Sequence, residues 1–281
     1  MYGEMINVTI AGSKNLIGKT FQTNRGTKYK VIDYINSKNV LIEFCDDFKF
    51  QKKVTVKYMN NGKIKNPYDI TICGVACLGV LPNGTIPSTT KFPREYRVWY
   101  NMISRCYDSK QLEKNSSYVG VTVDSRWHCF TNFLEDLPKI ENYEYWLKYD
   151  NFQLDKDIKS NKEREFKEVN NVIDYYCIGK IYSLDTCMFV PSSVNSNEVN
   201  LRERGFYKIT NIESGTVQTI DYYDVLHFFS NHTVKKRREI KVAIKERRSL
   251  IVNEYKIEFD NELYEKLIRD MIEDYINNLE K

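Results

Sequence analysis

The sequence predicts a multi-module α+β chain, and three observations carry that prediction. Short β-branched and aromatic runs separated by turn residues fill positions 17–80. From position 94 the apolar residues fall into a helical period. The last third reads as hairpin, helix, short turn, helix, strand. With 281 residues, 42% hydrophobic and 14% aromatic, the chain can build two or three packed cores, which excludes a globally disordered protein.

Positions 1–80 form the first module. KYKVIDYI, NVLIEF and KKVTVKYM read as strands, separated by NSKN and CDDFK and followed by NNGK. Strands this short, turning roughly every eight to twelve residues, predict a small SH3-like β-barrel or curled sheet. ICGVACLGV reads as its closing strand, with Gly74 and Gly79 as kinks. Residues 81–93 hold three prolines and Gly84 and read as a linker.

A middle domain follows over 94–200. Trp99, Met102, Ile103 and Cys106 make an i, i+3, i+4, i+7 stripe, the buried side of a helix. Arg94, Arg97, Asn101 and Arg105 fall on the other side, either facing phosphate or simply solvated. YVGVTVDSRWHCFTNFLEDL reads as a short strand, a turn at Asp124 and Ser125, and a helix packing Trp127, Phe130, Phe133 and Leu134. In FQLDKDI, Asp155 and Asp157 bracket Lys156, which is either half of a metal site or a charged turn. Residues 159–175 are charged and read as an insertion; IYSLDTCMFVP returns to the core, and 194–204 reads as a polar linker.

Residues 201–259 predict a strand-flanked helix-turn-helix. FYKITNI and TVQTI flank ESG as a hairpin, and Asp221 is placed to cap a helix that buries Val225, Leu226 and Phe229. After NHT, a second helix carries Lys235, Lys236, Arg237, Arg238, Lys241, Lys245, Arg247 and Arg248 against only Glu239 and Glu246. That local excess exceeds the net +4 of the whole chain, while Ile240, Ala243 and Ile244 share the opposite face. Such a helix can enter the major groove while its cations neutralise phosphates. IVNEYKIEF closes the module as one strand.

Residues 260–281 form an acidic amphipathic helix, with Leu263, Leu267, Met271, Tyr275 and Leu279 four apart and Ile268, Ile272 and Ile276 alongside. Its stripe either packs on its own chain or makes a homodimer contact. The seven cysteines at 45, 73, 77, 106, 129, 177 and 187 are scattered and odd in number, and they read as reduced thiols. Cys73 and Cys77 lack the second pair a zinc site would need. No secretory leader pattern opens the chain and no stretch approaches a membrane span, so the expected location is the cytoplasm and no membrane partner is expected.

Two resemblances sharpen the reading. Ser214-Gly215, Val225, Phe228-Phe229, Ile240, Ala243-Ile244 and Tyr255-Lys256-Ile257 match, over about fifty residues, the modular DNA-binding repeats that accompany phage and mobile-intron homing endonucleases. In the middle, YRVWYNMISRCYD, YVGVTVDSRWHCFTNFLEDL, QLDKDI and YSLDTCMFVPSSVN, in this order, resemble phage HNH-type or AP2-containing endonucleases and DNA-binding proteins. The resemblance implies an HNH/AP2-like ββα middle domain and binding of double-stranded DNA in the cytoplasm of a bacterial host. It also implies cutting with one Mg²⁺ or Mn²⁺, because a metal offsets transition-state charge and a base makes hydroxide.

On that match Asp155 takes the metal position, with Asp157 secondary, and Asn195 matches the final Asn. Thr186 stands where many relatives have Asn. Lys156 stands in the position of the base, which a normally protonated amine fills poorly. His128 is the remaining candidate base near the middle. The alternative class is a non-catalytic protein, a regulator or an inhibitor that binds a host protein.

Overall fold

The computed structural model describes residues 16–159, 167–169, 172–174, 180–245 and 248–280, without the side chains of 116, 167–169, 172–174, 198–200, 202–204 and 245. The architecture is α+β. Two compact units emerge: one holds the chain through Val119 plus Ser125–Glu135, the other Gly120–Asp124 and everything from Asp136.

In the first unit β1 (Thr20–Gln22), β2 (Lys28–Asn36), β3 (Asn39–Phe44) and β4 (Gln51–Val54) form an antiparallel sheet in sequence order. Alternation drives it. Tyr29 and Val31 on β2 and Val40, Ile42 and Phe44 on β3 are fully buried, and the register sets Tyr29 opposite Phe44 and Val31 opposite Ile42. Two register shifts after Val31 and Tyr34 bend the pair. Among the described residues this sheet is open, so the expected barrel is not closed.

KKVTVKYM is only half a strand. The Thr55 hydroxyl accepts the N–H of Tyr58 at 3.2 Å and starts α1 (Val56–Asn60), which buries Val56 and Met59. ICGVACLGV is not a strand either: Ile72 bridges Ala76 across a turn in which Cys73 and Gly74 both have positive φ.

Helix α2 (Pro93–Tyr107) opens on a proline at its first position and buries Trp99, Met102, Ile103 and Cys106, the stripe expected from the sequence. Helix α3 (Ser109–Lys114) is capped by Asp108, and α4 (Phe130–Asp136) follows a 3-10 turn at Ser125–His128. Trp99 Nε1 donates to the Trp127 carbonyl at 2.7 Å, and the Trp99 and Phe130 rings pack at 5.0 Å.

The second unit begins with β5 (Thr122–Val123) and α5 (Tyr143–Lys148), whose Trp146 stacks on Phe189 at 4.9 Å. Next come β6 (Phe152–Asp155), the antiparallel pair β7 (Lys167–Val169) and β8 (Val172–Asp174), β9 (Ile181–Tyr182) and β10 (Met188–Pro191). The rest of the 159–175 insertion beyond Lys159, β7 and β8 lies outside the described residues. β5 runs parallel to β9, and β6 pairs antiparallel with β10, setting Asp155 opposite Met188.

Residues 192–204, partly expected as a linker, are instead helix α6 (Ser192–Arg204), anchored by buried Val194 and partly buried Leu201. β11 (Phe206–Asn211), β12 (Val217–Asp221), β13 (Leu250–Val252) and β14 (Tyr255–Phe259) form an antiparallel sheet in the order β12-β11-β14-β13. IVNEYKIEF is thus a hairpin rather than one strand, turning at Asn253 with φ of 55°.

Helices α7 (Tyr222–Phe228), α8 (Val234–Lys245) and α9 (Asn261–Leu279) complete the unit. Asp260 caps α9, which lays Tyr264, Ile268 and Ile272 into the core shared with Tyr207, Ile209, Val225, Ile240 and Ile257. The buried line of α9 is thus Tyr264, Ile268 and Ile272, while Leu263, Leu267, Met271 and Tyr275 are half-buried and Leu279 is exposed. No helix among the described residues is long and apolar enough to cross a membrane.

Candidate nucleic-acid interface

Helix α8 owes its placement to both ends of α7. Asp221 accepts the N–H of Asp224 at 2.8 Å and caps α7, whose Val225 and the following Phe229 are buried. The chain then turns through residues 230–233, and the Thr233 hydroxyl accepts the N–H of Lys236 at 3.3 Å to start α8. Asn253, in the turn between β13 and β14, donates from Nδ2 to His232 Nε2 at 3.1 Å, tying the interhelical turn to the sheet.

Ile240, Ala243 and Ile244 point into the core, each under 3% exposed. Their period fixes the opposite side: Lys235, Arg237, Arg238 and Lys241 are all exposed, with Val242 among them at 45%. Lys236 is drawn sideways by Glu239, its Nζ 3.0 Å from the carboxylate. Arg248 is half-buried beyond the helix, its N–H donating to the Ala243 carbonyl at 2.9 Å. The Lys245 side chain and Arg247 lie outside the described residues.

The first unit carries a second basic edge. Arg97, Asn101 and Arg105 lie four apart on the exposed side of α2, with Arg94 half-buried in its first turn. The Arg105 guanidinium sits 5.7 Å above the Tyr118 ring.

Asp155, Lys156 and Asp157 form a closed local arrangement. Asp155 is 6% exposed, and its Oδ2 accepts the N–H of Ile158 at 2.8 Å, so the carboxylate closes the turn that leaves β6. Lys156 is 5% exposed. Its Nζ lies 2.8 Å from both Asp157 oxygens and 5.3 Å from the centre of the Tyr182 ring on β9. The Cys187 thiol behind them is buried in the core, and desolvation pushes it up to about 12.

This donor set does not fit Mg²⁺ or Mn²⁺. One carboxylate is engaged by a backbone amide and the other is held against an ammonium. Hard divalent cations instead gather several oxygens around an open position. Among the described residues no three His, Cys, Asp or Glu side chains converge as a metal site requires.

The other expected site residues are placed separately. Asn195, in the first turn of α6, donates to Gln153 Oε1 at 3.4 Å; strand alternation puts Gln153 on the same side of β6 as Asp155. Thr186 closes a turn, donating to the Ile181 carbonyl at 2.5 Å and accepting the Ser183 N–H at 3.1 Å. His128 belongs to the first unit, where its Nε2 is 3.2 Å from the Tyr107 hydroxyl.

Sequence reasoning missed Tyr182 beneath Lys156, and Gln153 as the partner of Asn195. Strand parity within FQLD was the available signal for Gln153; nothing local pointed to Tyr182. No family model matches the chain, and neither a curated protein nor a solved structure does.

Proposed function

We propose that the chain binds double-stranded DNA, with α8 as the helix that approaches the major groove. The observation that carries this reading is the division of α8 into a buried face of Ile240, Ala243 and Ile244 and an exposed face of Lys235, Arg237, Arg238 and Lys241. A helix of 12 residues is about 18 Å long, enough to lie along a groove about 12 Å wide. Val242, exposed among the cations, is suited to meet a thymine methyl.

The order β11, β12, α7, α8, β13, β14 supports a strand-flanked helix-turn-helix of the kind that accompanies homing endonucleases. The antiparallel β6–β10 pair running directly into α6 supports an HNH-like ββα ancestry for the middle. The β1–β4 meander is compatible with an SH3-like strand order.

The function proposed is binding without a requirement for cutting, because Asp155 and Asp157 are already committed to the local structure. Fluorescence anisotropy with a labelled duplex tests it. Affinity should fall steeply and linearly on logarithmic axes as salt rises, by a slope of about 0.9 for each phosphate neutralised. Absence of binding at low salt would reject the proposal.

A further inference from the structure

Away from the basic faces, the first unit brings together two cysteines from distant stretches of the chain. Cys77 and Cys129 are partners across a parallel β-bridge, fixed on both sides by backbone hydrogen bonds. The Cys77 N–H donates to the His128 carbonyl at 3.0 Å, and the Phe130 N–H to the Cys77 carbonyl at 3.0 Å. Bridged strands lie about 4.8 Å apart, inside the roughly 4.4–6.8 Å that a disulfide spans between Cα atoms. As directly opposed residues of that bridge, Cys77 and Cys129 carry their side chains on the same face.

We propose that Cys77 and Cys129 are a redox-active dithiol, oxidised to an intramolecular disulfide by a small disulfide of the glutathione type. Cys129 is the attacking sulfur. Its thiol is drawn down to about 6, chiefly by the hydrogen bond from Cys77, with help from the Thr131 hydroxyl and the N–H groups of Asn132 and Thr131. The Thr131 Oγ1 lies 3.2 Å from the sulfur. Cys77 is pushed up as the donor of that bond, by burial, by the Cys129 charge and by the carboxylate of Asp69. Tyr68 also senses the pair, and its hydroxyl is raised mainly by burial. Gly79 makes room: a Cβ there would come within 2.4 Å of the Cys129 sulfur and 2.2 Å of Thr131 Oγ1.

The chemistry balances as two successive exchanges. The Cys129 thiolate attacks one sulfur of the small disulfide, whose S–S bond breaks and releases one small thiolate that takes a proton from water. Cys77 then gives its proton to solvent and attacks the Cys129 sulfur, whose bond to the small group breaks and expels a second small thiolate that takes up a proton from solvent. Two cysteine thiols become one disulfide, and one small disulfide is reduced to two thiols.

The test treats the full chain with oxidised glutathione near pH 7, quenches with acid, blocks the remaining thiols and maps the peptides by mass. The expected product is the Cys77–Cys129 cross-linked peptide, formed before Cys45, an exposed cysteine, is modified. Cys77→Ser should stop at the mixed disulfide on Cys129, and Cys129→Ser should leave Cys77 unmodified. Modification of Cys45 ahead of Cys129 in the wild-type chain, or wild-type Cys129 held as a stable mixed disulfide, would overturn the proposal. Because the wild-type map decides both points, the inference does not depend on a variant folding.

Discussion

The carboxylate of Asp155 holds the backbone N–H of Ile158 at 2.8 Å, and both residues are buried. Ile158 itself is buried in the core with Met188, Val190 and Ile268. The bond therefore joins the end of β6 to the main apolar cluster of the second unit. Asp155→Ala should leave that amide without its acceptor and cost about 1–3 kcal/mol, while Asp155→Asn, which keeps an oxygen, should cost less. Urea denaturation of the two variants checks the order.

Lys156 and Asp157 should respond unequally. Asp157→Asn leaves a buried ammonium with weakened compensation; because the carboxylate is 31% exposed, the loss should be only about 1–2 kcal/mol. Lys156→Met removes the charge and keeps much of the volume, and should stay within about 1 kcal/mol of wild type. Thermal melts compare them. In the same preparations, supercoiled plasmid with Mg²⁺ or Mn²⁺ should stay intact; relaxation by wild type that disappears in Asp155→Ala would contradict the structural role given to these residues.

Much of the helical framework was legible because its period is strong. Trp99, Met102, Ile103 and Cys106 were readable as one face, and all four are buried. Asp221 was readable as a cap because it directly precedes the apolar spacing of α7, and it is one. Helix α6 was hidden because Val194, Val199 and Leu201 in its sequence are too few and too unevenly spaced to show a helical period. The turn at Asn253 was hidden because Asn-Glu is not the usual pair for a tight hairpin, yet the asparagine adopts positive φ. In the site, the charges of α8 were visible, but the exposure that gives them meaning depends on the sheet beneath. The pairing of Cys77 with Cys129 is a long-range contact that no local spacing announces.

Each of the caps at Asp221 and Asp260 should contribute measurably. Asp221→Ala removes the acceptor for Asp224 N–H and should cost about 1 kcal/mol; Asp260→Ala removes the acceptor for Leu263 N–H. Asp260 should cost more, since it also receives the Thr219 hydroxyl at 3.1 Å and is 4% exposed. Chemical denaturation of the two single variants gives the comparison.

The thiol pair predicts a pH dependence of stability. Cys129 ionises near 6 in the fold, below its ordinary value of 9.0. A depressed acid group contributes stability that is fully present above its unfolded value and lost as pH falls through the folded one. Cys77 is shifted the opposite way and costs the fold above its own ordinary value of 9.0. Stability relative to Cys129→Ser should therefore grow between about pH 6 and 9 and turn down above 9, as read from urea midpoints under reducing conditions.

Duplex binding as a function of salt is the most direct measurement of the central claim, made on wild type and on the combined Lys235→Ala, Arg237→Ala, Arg238→Ala, Lys241→Ala variant. All four side chains are exposed, so circular dichroism should be unchanged while affinity and the salt slope both fall, the slope by up to about 3.6 if each cation neutralises one phosphate. A folded variant that binds duplex with wild-type affinity and slope would contradict the assignment of α8 as the DNA-binding helix.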